Sequence, residues 1–296
     1  MCSARWMTKY RPNRSASVFA NTTQPSVTLN DARAMPRLGY GVWQAPPAEA
    51  EAGVKHALEL GYRSVDTAQI YENEEAVGRG MAGSGIPRDD IFLTTKVFNN
   101  DQGFDQTLRA MEASLMRLGV DYVDLYLIHW PSAFRGLYLD TWRALIRLQE
   151  DGRARSIGVS NFQPPHLLKL LEETSVVPAV NQIELHPLFQ QHKLRNFHTQ
   201  HGIATESWSP LGQGTLLDHP VLNAIAEKYG RTPAQVILRW HLDNDLIAIP
   251  KSVTPARIAE NFAVFDFALD QDDRTLIDGL DSAAGRIGPD PDTANW

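Results

Sequence analysis

The sequence predicts an α/β protein built as one (β/α)8 barrel. Three observations carry that reading. Eight short apolar runs rich in β-branched residues alternate with segments of helical periodicity, and such alternation implies a parallel sheet. Eight strand–helix units are the number that closes a barrel. The 296 residues, 43% of them hydrophobic and 21% charged, suffice to bury a large core, and no linker or shift in composition divides them. We therefore expect one barrel over residues 25–296.

Residues 1–24 are rich in Ser, Asn, Thr and Arg and are expected to form a flexible extension. A hairpin-like segment follows at 27–37. Candidate strands lie at 38–42, 63–66, 91–96, 123–129, 155–159, Val180–Glu184, 204–207 and 246–249. Amphipathic segments sit between them, among them Pro47–Leu60, Phe104–Leu118, Tyr138–Glu150 and 165–173. Gly61, Gly119, Gly152 and Gly230 stand where helices should stop.

Charge narrows the classes of function. The net charge is −7, and the first twenty residues hold Arg5, Lys9, Arg11 and Arg14 with no acid, so the remainder is more acidic still. A general nucleic-acid surface, which would be basic, is not expected. No run of ~18 apolar residues marks a membrane span, and the basic start lacks the apolar run of a secretory leader. Asn21-Thr22-Thr23 matches a glycosylation sequon by chance. The single cysteine, Cys2, leaves no intrachain disulfide framework and no cysteine-based zinc site. It fits a reducing compartment, and we expect a cytoplasmic protein without a metal cofactor.

Two motifs are set aside. Gly78-Arg79-Gly80-Met81-Ala82-Gly83 matches the dinucleotide fingerprint G-x-G-x-x-G. That loop must leave a strand and open a helix, so that helix amides meet the pyrophosphate. Here Glu74-Glu75-Ala76-Val77 precedes it and reads as helix, which the glycines are expected to end. His198 and His201, three apart with no carboxylate at helical spacing, read as surface residues rather than a metal pair.

In a βα barrel, chemistry sits at the C-terminal ends of the strands. Those ends supply Asp66, Lys96 and His129 on strands two, three and four, with Tyr71 five residues beyond Asp66. Alone, each is more often a barrel-end ion pair or a satisfied polar group. Together they suit one reaction. A carbonyl that receives hydride becomes an alkoxide and needs a proton. Tyr, with an ordinary pKa of ~10, holds one at neutral pH. The Lys96 ammonium would lower that pKa, Asp66 would hold the lysine charged, and His129 would polarise the carbonyl oxygen.

These residues fall within longer motifs: D-T-A-Q-I-Y at 66–71, T-T-K-V at 94–97, D-L-Y-L-I-H-W-P at 124–131, G-V-S-N-F at 158–162, N-Q-I-E-L-H-P at 181–187, S-W-S-P-L-G-Q-G at 207–214 and I-P-K-S-V at 249–253. Over roughly residues 27–290 the sequence resembles the aldo-keto reductase superfamily, nearest to its bacterial 2,5-diketo-gluconate reductase group. The long N-terminal extension departs from that group. The resemblance places the family tetrad on Asp66, Tyr71, Lys96 and His129, with Tyr71 the acid in reduction and the base in oxidation.

Hydride must come from a cofactor, because no side chain supplies it. The resemblance implies NADPH, bound extended across the mouth of a TIM barrel. Ser160, Asn161 and Gln182 match residues that hold the nicotinamide carboxamide, and Trp208 the ring that stacks on it. Ser209, Leu211 and Gln213 follow strand seven. Ile249, Lys251, Ser252, Val253, Thr254 and Arg257 follow strand eight, where Lys251 and Arg257 suit an adenosine 2′-phosphate. Glu260 and Asn261 match residues near the adenine. Trp43, Phe98 and Trp130 are expected to line the substrate pocket with His129.

The tail from Gly285 to Trp296 is expected to fold over the mouth, as in the family. The expected substrates are small-molecule carbonyls: small aldehydes, α-dicarbonyls such as methylglyoxal, or keto-sugar acids. A monomer is the default by resemblance. Some relatives of this fold keep the tetrad yet regulate partners with NADPH bound, so a slowly reacting sensor module is the alternative. A barrel hydrolase or isomerase with Lys96 as a Schiff-base lysine is a third reading, one that leaves the K-S-V-x-x-x-R segment without a purpose.

Overall fold

The computed structural model describes residues 24–294; the extension expected at 1–24 lies, but for Gln24, outside them, as does Trp296. Strands β1 (Ser26–Thr28) and β2 (Ala34–Pro36) pair antiparallel, Ser26 opposite Pro36. The barrel then begins with β3 (Tyr40–Gly41), α1 (Pro47–Leu60), β4 (Ser64–Asp66), α2 (Glu74–Ser84), β5 (Phe92–Val97), α3 (Phe104–Leu118) and β6 (Val123–Ile128). It continues with α4 (Tyr138–Glu150), β7 (Ala154–Ser160), α5 (Pro164–Thr174), β8 (Val180–Glu184), α6 (His192–His201), β9 (Ala204–Trp208), α7 (Pro220–Tyr229), α8 (Pro233–Asp243) and β10 (Ile247–Ala248). Helices α9 (Pro255–Phe262) and α10 (Gln271–Asp278) follow, and a 3-10 turn, Ala283–Gly285, comes after them.

Strands β3 to β10 form one parallel sheet in sequential order. Its edges meet: Leu38 bridges Ala248 and Gly41 bridges Lys251, both parallel, with Gly39 N donating to Ala248 O at 2.8 Å and Gly41 N to Pro250 O at 3.1 Å. The cylinder is therefore closed, as eight units require. Every residue of β5 and β6 is buried, as expected for strands covered on both faces. Alternate residues of β6 serve two cores. Tyr126 and Ile128 pack toward the helices, whereas Leu125 and Leu127 share the barrel interior with Phe92, Val180 and Ile247. Leu29 and Met35 of the hairpin join that inner cluster, so the hairpin stoppers one end of the barrel. The strand C-termini are left as the end available for a site.

Two expectations need correction. The glycines of the 78–83 motif do not end a helix; α2 runs through them to Ser84. They are there for contact. A Cβ on Gly78 would lie 2.2 Å from Leu118 O and one on Gly80 2.6 Å from Glu51 O, so α2 approaches α1 and the end of α3 too closely for a side chain. His198 is not a surface residue either. It is fully buried, between Asn181 Nδ2 at 2.9 Å and Thr205 Oγ1 at 2.8 Å, because a polar pair waits for it on β8 and β9.

Candidate active site

The site is built on three successive strand ends. Asp66 is the last residue of β4, opposite Thr94 in the parallel register, and Lys96 lies two residues further along the neighbouring β5. Lys96 is fully buried. Its Nζ donates to Asp66 Oδ1 at 2.6 Å and to Thr67 O at 2.9 Å. A buried ammonium is tolerated when paired and hydrogen-bonded in this way. Burial by itself would discharge Lys96, but the charge of Asp66 and its neighbours outweighs burial and raises its pKa. A charged amine cannot attack a carbonyl carbon, which removes the Schiff-base reading.

Tyr71 closes a single 3-10 turn, Gln69–Tyr71, in a loop held from both sides. Asn73 Nδ2 donates to Val42 O at 3.0 Å and Ala45 O at 3.2 Å and its Oδ1 accepts from Thr67 Oγ1 at 2.9 Å, while Gln69 accepts from Phe98 N at 3.2 Å and donates to Asp101. The Tyr71 ring is thereby set with Lys96 Nζ 5.2 Å from its centroid and the His129 ring edge-on at 5.7 Å. The tetrad expected from sequence is one cluster. The expected lowering of the Tyr71 pKa is not its net result: burial of the hydroxyl raises it, and Lys96, by charge and hydrogen bond, draws it part of the way back. Tyr71 holds its proton at neutral pH.

His129 follows β6. Burial, reinforced by Lys96, holds its pKa well below the ordinary value, so the ring is neutral. Among the described residues its Nδ1 has no partner. Phe98 packs edge-on to the same ring at 5.8 Å. Trp43, just past β3, is 41% exposed, and the half-buried Trp130 presents its carbonyl to Gln102 Nε2 at 2.7 Å.

Beside the tetrad lies a second polar set. Asn161 has a left-handed backbone (φ 64); its Nδ2 donates to His129 O at 3.0 Å and Ser160 Oγ at 3.1 Å. Trp208 Nε1 donates to Asn161 Oδ1 at 2.8 Å, and Ser160 Oγ donates to Gln182 O at 2.8 Å. Gln182 Nε2 donates to Asp66 Oδ2 at 2.8 Å and Glu206 Oε2 at 2.9 Å. Ser209, Leu211 and the exposed Gln213 follow β9, with Ser209 (φ 48) and Gln213 (φ 53) left-handed. Ile249 follows β10, its N donating to Ser207 O at 3.3 Å. Ser252 O accepts from Tyr40 Oη at 2.6 Å, and Ser252 Oγ accepts from Thr254 N at 3.2 Å at the head of α9. Val253 is half-buried. Lys251 and Arg257 are exposed, and among the described residues neither forms an ion pair. Glu260 accepts from Thr232 Oγ1 at 2.8 Å, and Asn261 is buried.

Sequence reasoning missed Glu206 and Glu184. Glu206 pairs in register with Gln182 and is fully buried; the signal was an acid inside a strand covered on both faces. Glu184, the last residue of β8, accepts from Ile287 N at 2.6 Å and Gly288 N at 2.8 Å. It thereby fixes the described part of the tail beside Trp208, close enough that a Cβ on Gly288 would lie 2.5 Å from the indole. The tail does return to the mouth.

A proton-holding tyrosine, a charged lysine, a paired aspartate and a neutral histidine at one barrel end define a site for moving a proton to or from an oxygen. The aldo/keto reductase family profile matches residues 37–282, and the chain belongs to that family. It is 57% identical over 272 residues to an aldo-keto reductase of Mycolicibacterium smegmatis, covering 92% of this chain and 98% of that one. It is 50% identical over 268 residues to the methylglyoxal reductase DkgA of Escherichia coli K12, covering 90% and 96%. The crystal structure of Gox0644 in complex with NADPH, a mutant form, superposes with a TM-score of 0.90 at 53% identity over 93% of this chain and all of that one.

Proposed function

We infer that the chain is an NADPH-dependent oxidoreductase that reduces aldehydes and ketones to alcohols, with Tyr71 as proton donor. The observation that carries this reading is the buried Lys96–Asp66 pair set beneath Tyr71 with a neutral His129 opposite. The residues present fit the cofactor. Among the described residues Gln182 keeps one unshared acceptor beside the tetrad, and Lys251, just before α9, and Arg257, in its first turn, form no ion pair; the helix amides there would add to their pull on a phosphate. Ser160, Asn161, Gln182 and Trp208 would hold the nicotinamide end, the loops 209–213 and 249–254 the rest, and Lys251 with Arg257 the 2′-phosphate.

When bound, the cofactor supplies hydride to the carbonyl carbon. The chain's own residues do the remainder. His129, neutral, donates from Nε2 to the carbonyl oxygen and steepens its polarity. Tyr71 delivers its proton to the same oxygen. Lys96 stabilises the tyrosinate that results, and Asp66 keeps Lys96 charged and in place. Trp43, Phe98 and Trp130 border the opening, and an aromatic wall with few polar groups suits small carbonyls. The relatives named for methylglyoxal reduction support reactive α-dicarbonyls as the substrate class. Nothing in the site favours a sensor that seldom turns over.

The test is a kinetic panel. Purified chain with NADPH and methylglyoxal should consume reduced-nicotinamide absorbance, and less efficiently with NADH. Lys251→Ala should weaken NADPH binding about tenfold and leave NADH unchanged, as expected for one exposed charge-assisted contact. Absence of turnover with α-dicarbonyls, aldoses and aromatic aldehydes alike would defeat the reading.

A further inference from the structure

Gln182 is held in an unusual way. The two hydrogens of its side-chain amide are both taken inside the barrel, one by Asp66 Oδ2 at 2.8 Å and the other by Glu206 Oε2 at 2.9 Å. All three residues are buried, Glu206 completely. The reverse orientation would place the amide oxygen against two carboxyl groups with no hydrogen to share except an acid's own, so the amide direction follows from its neighbours. Its Oε1 is then the single polar atom left over, and nothing among the described residues donates to it.

The groups in and around this arrangement come from six segments. Asp66 on β4 and Lys96 on β5 form the ion pair, Tyr71 lies in the turn above, His129 follows β6, and Gln182 on β8 neighbours Glu206 on β9. Burial, with Asp66 adding to it, pushes Glu206 up to about 8. A neutral acid there avoids a second negative charge beside the pair. Its other oxygen, Oε1, is buried without a partner, so the acid's proton has a place outside the contact with Gln182. Such a half-satisfied carboxyl costs stability, and the tetrad does not require it.

We propose that Glu206 is a positioning residue: with Asp66 it anchors the Gln182 amide so that only an acceptor oxygen meets the nicotinamide carboxamide, and the site therefore selects a ring substituent carrying N–H. This rests on the cofactor reading above and adds to it a cause for substituent selectivity that lies one residue behind the contact. The class of ligand favoured is a pyridine dinucleotide with a carboxamide. The class disfavoured is its acetyl analogue, which has the same ring and a carbonyl oxygen but no N–H.

The experiment measures binding, not turnover. Tryptophan quenching gives Kd for NADP+ and for its 3-acetylpyridine analogue with the wild-type chain, Glu206→Leu and Glu206→Gln, with NAD+ as a third ligand. The wild type should prefer the carboxamide by about 3- to 10-fold, the worth of one neutral hydrogen bond. Glu206→Gln, which can still accept from Gln182, should keep that ratio. Glu206→Leu should bring it close to one while leaving the NADP+/NAD+ ratio, set elsewhere, unchanged. Glu206→Asp draws the acid back by one methylene and carries the same expectation, should the leucine variant not fold. A wild-type chain that binds no dinucleotide overturns the cofactor reading and this one with it. Normal NADP+ binding with the wild-type substituent ratio in Glu206→Leu, or in Glu206→Asp where the leucine variant does not fold, overturns the positioning role alone.

Discussion

Lys96 shows how burial and pairing compete within one side chain. An ammonium with no exposed surface would lose its proton to an apolar surrounding, and it keeps it because Asp66 lies at 2.6 Å. The same competition goes the other way at His198 and His241, which burial lowers to about 3 and about 4, and at Glu206, raised to about 8. The signs give a testable pH dependence. Below pH ~6.5 the unfolded chain protonates both histidines while the folded chain does not, so stability falls as the solution becomes more acidic. Between the ordinary glutamate value and 8 the folded chain holds a proton on Glu206 that the unfolded chain has lost, so that residue's contribution shrinks as pH rises. Urea midpoints should therefore show Glu206→Gln gaining on the wild type from pH 5 to pH 8, by up to about 1.4 kcal/mol per unit. A gap that is flat or narrows with pH would contradict this. The cluster of Asp66, Lys96 and His129 was legible because these residues occupy successive strand ends, where a barrel puts its chemistry, and Tyr71 because it lies in the loop that follows the first of them. Glu206 was not, because its neighbours on β8 and β4 are known only once the strands are in register.

At the scale of elements, helix α2 separates local propensity from packing. Helix propensity alone says that alanine at Gly78 should gain about 1 kcal/mol. The contact says the reverse, since a methyl 2.2 Å from Leu118 O forces two helices apart. Gly78→Ala should lower the melting temperature, while Ala at the solvent-facing Gly83, whose nearest neighbour would be Lys55 at 3.8 Å, should leave it unchanged or raise it. Equal effects at the two positions would remove the close-packing explanation. The strand–helix alternation was readable from periodicity throughout. What periodicity does not carry is the reason for a glycine, because a turn and a close approach look alike in one sequence. The tail was foreseen at the mouth only by resemblance; the Glu184 carboxylate that receives Ile287 N and Gly288 N gives the physical cause.

The whole molecule divides its two ends by task. The hairpin fills one end with Leu29 and Met35, and the bridge between Gly41 and Lys251 closes the cylinder with the phosphate-binding candidates on its rim. The tetrad, the Gln182 set and the loops after β9 and β10 all lie at the other end, although their residues are spread from Asp66 to Arg257. Among the described residues no helix is long and apolar enough to cross a membrane. The division leaves a single central claim, that Tyr71 gives its proton to the substrate oxygen. The measurement is the pairing of turnover with cofactor binding in Tyr71→Phe. The account predicts that kcat for methylglyoxal reduction falls by about 10²- to 10⁴-fold while the NADPH dissociation constant stays within about twofold. A phenylalanine variant that turns over at the wild-type rate would contradict it.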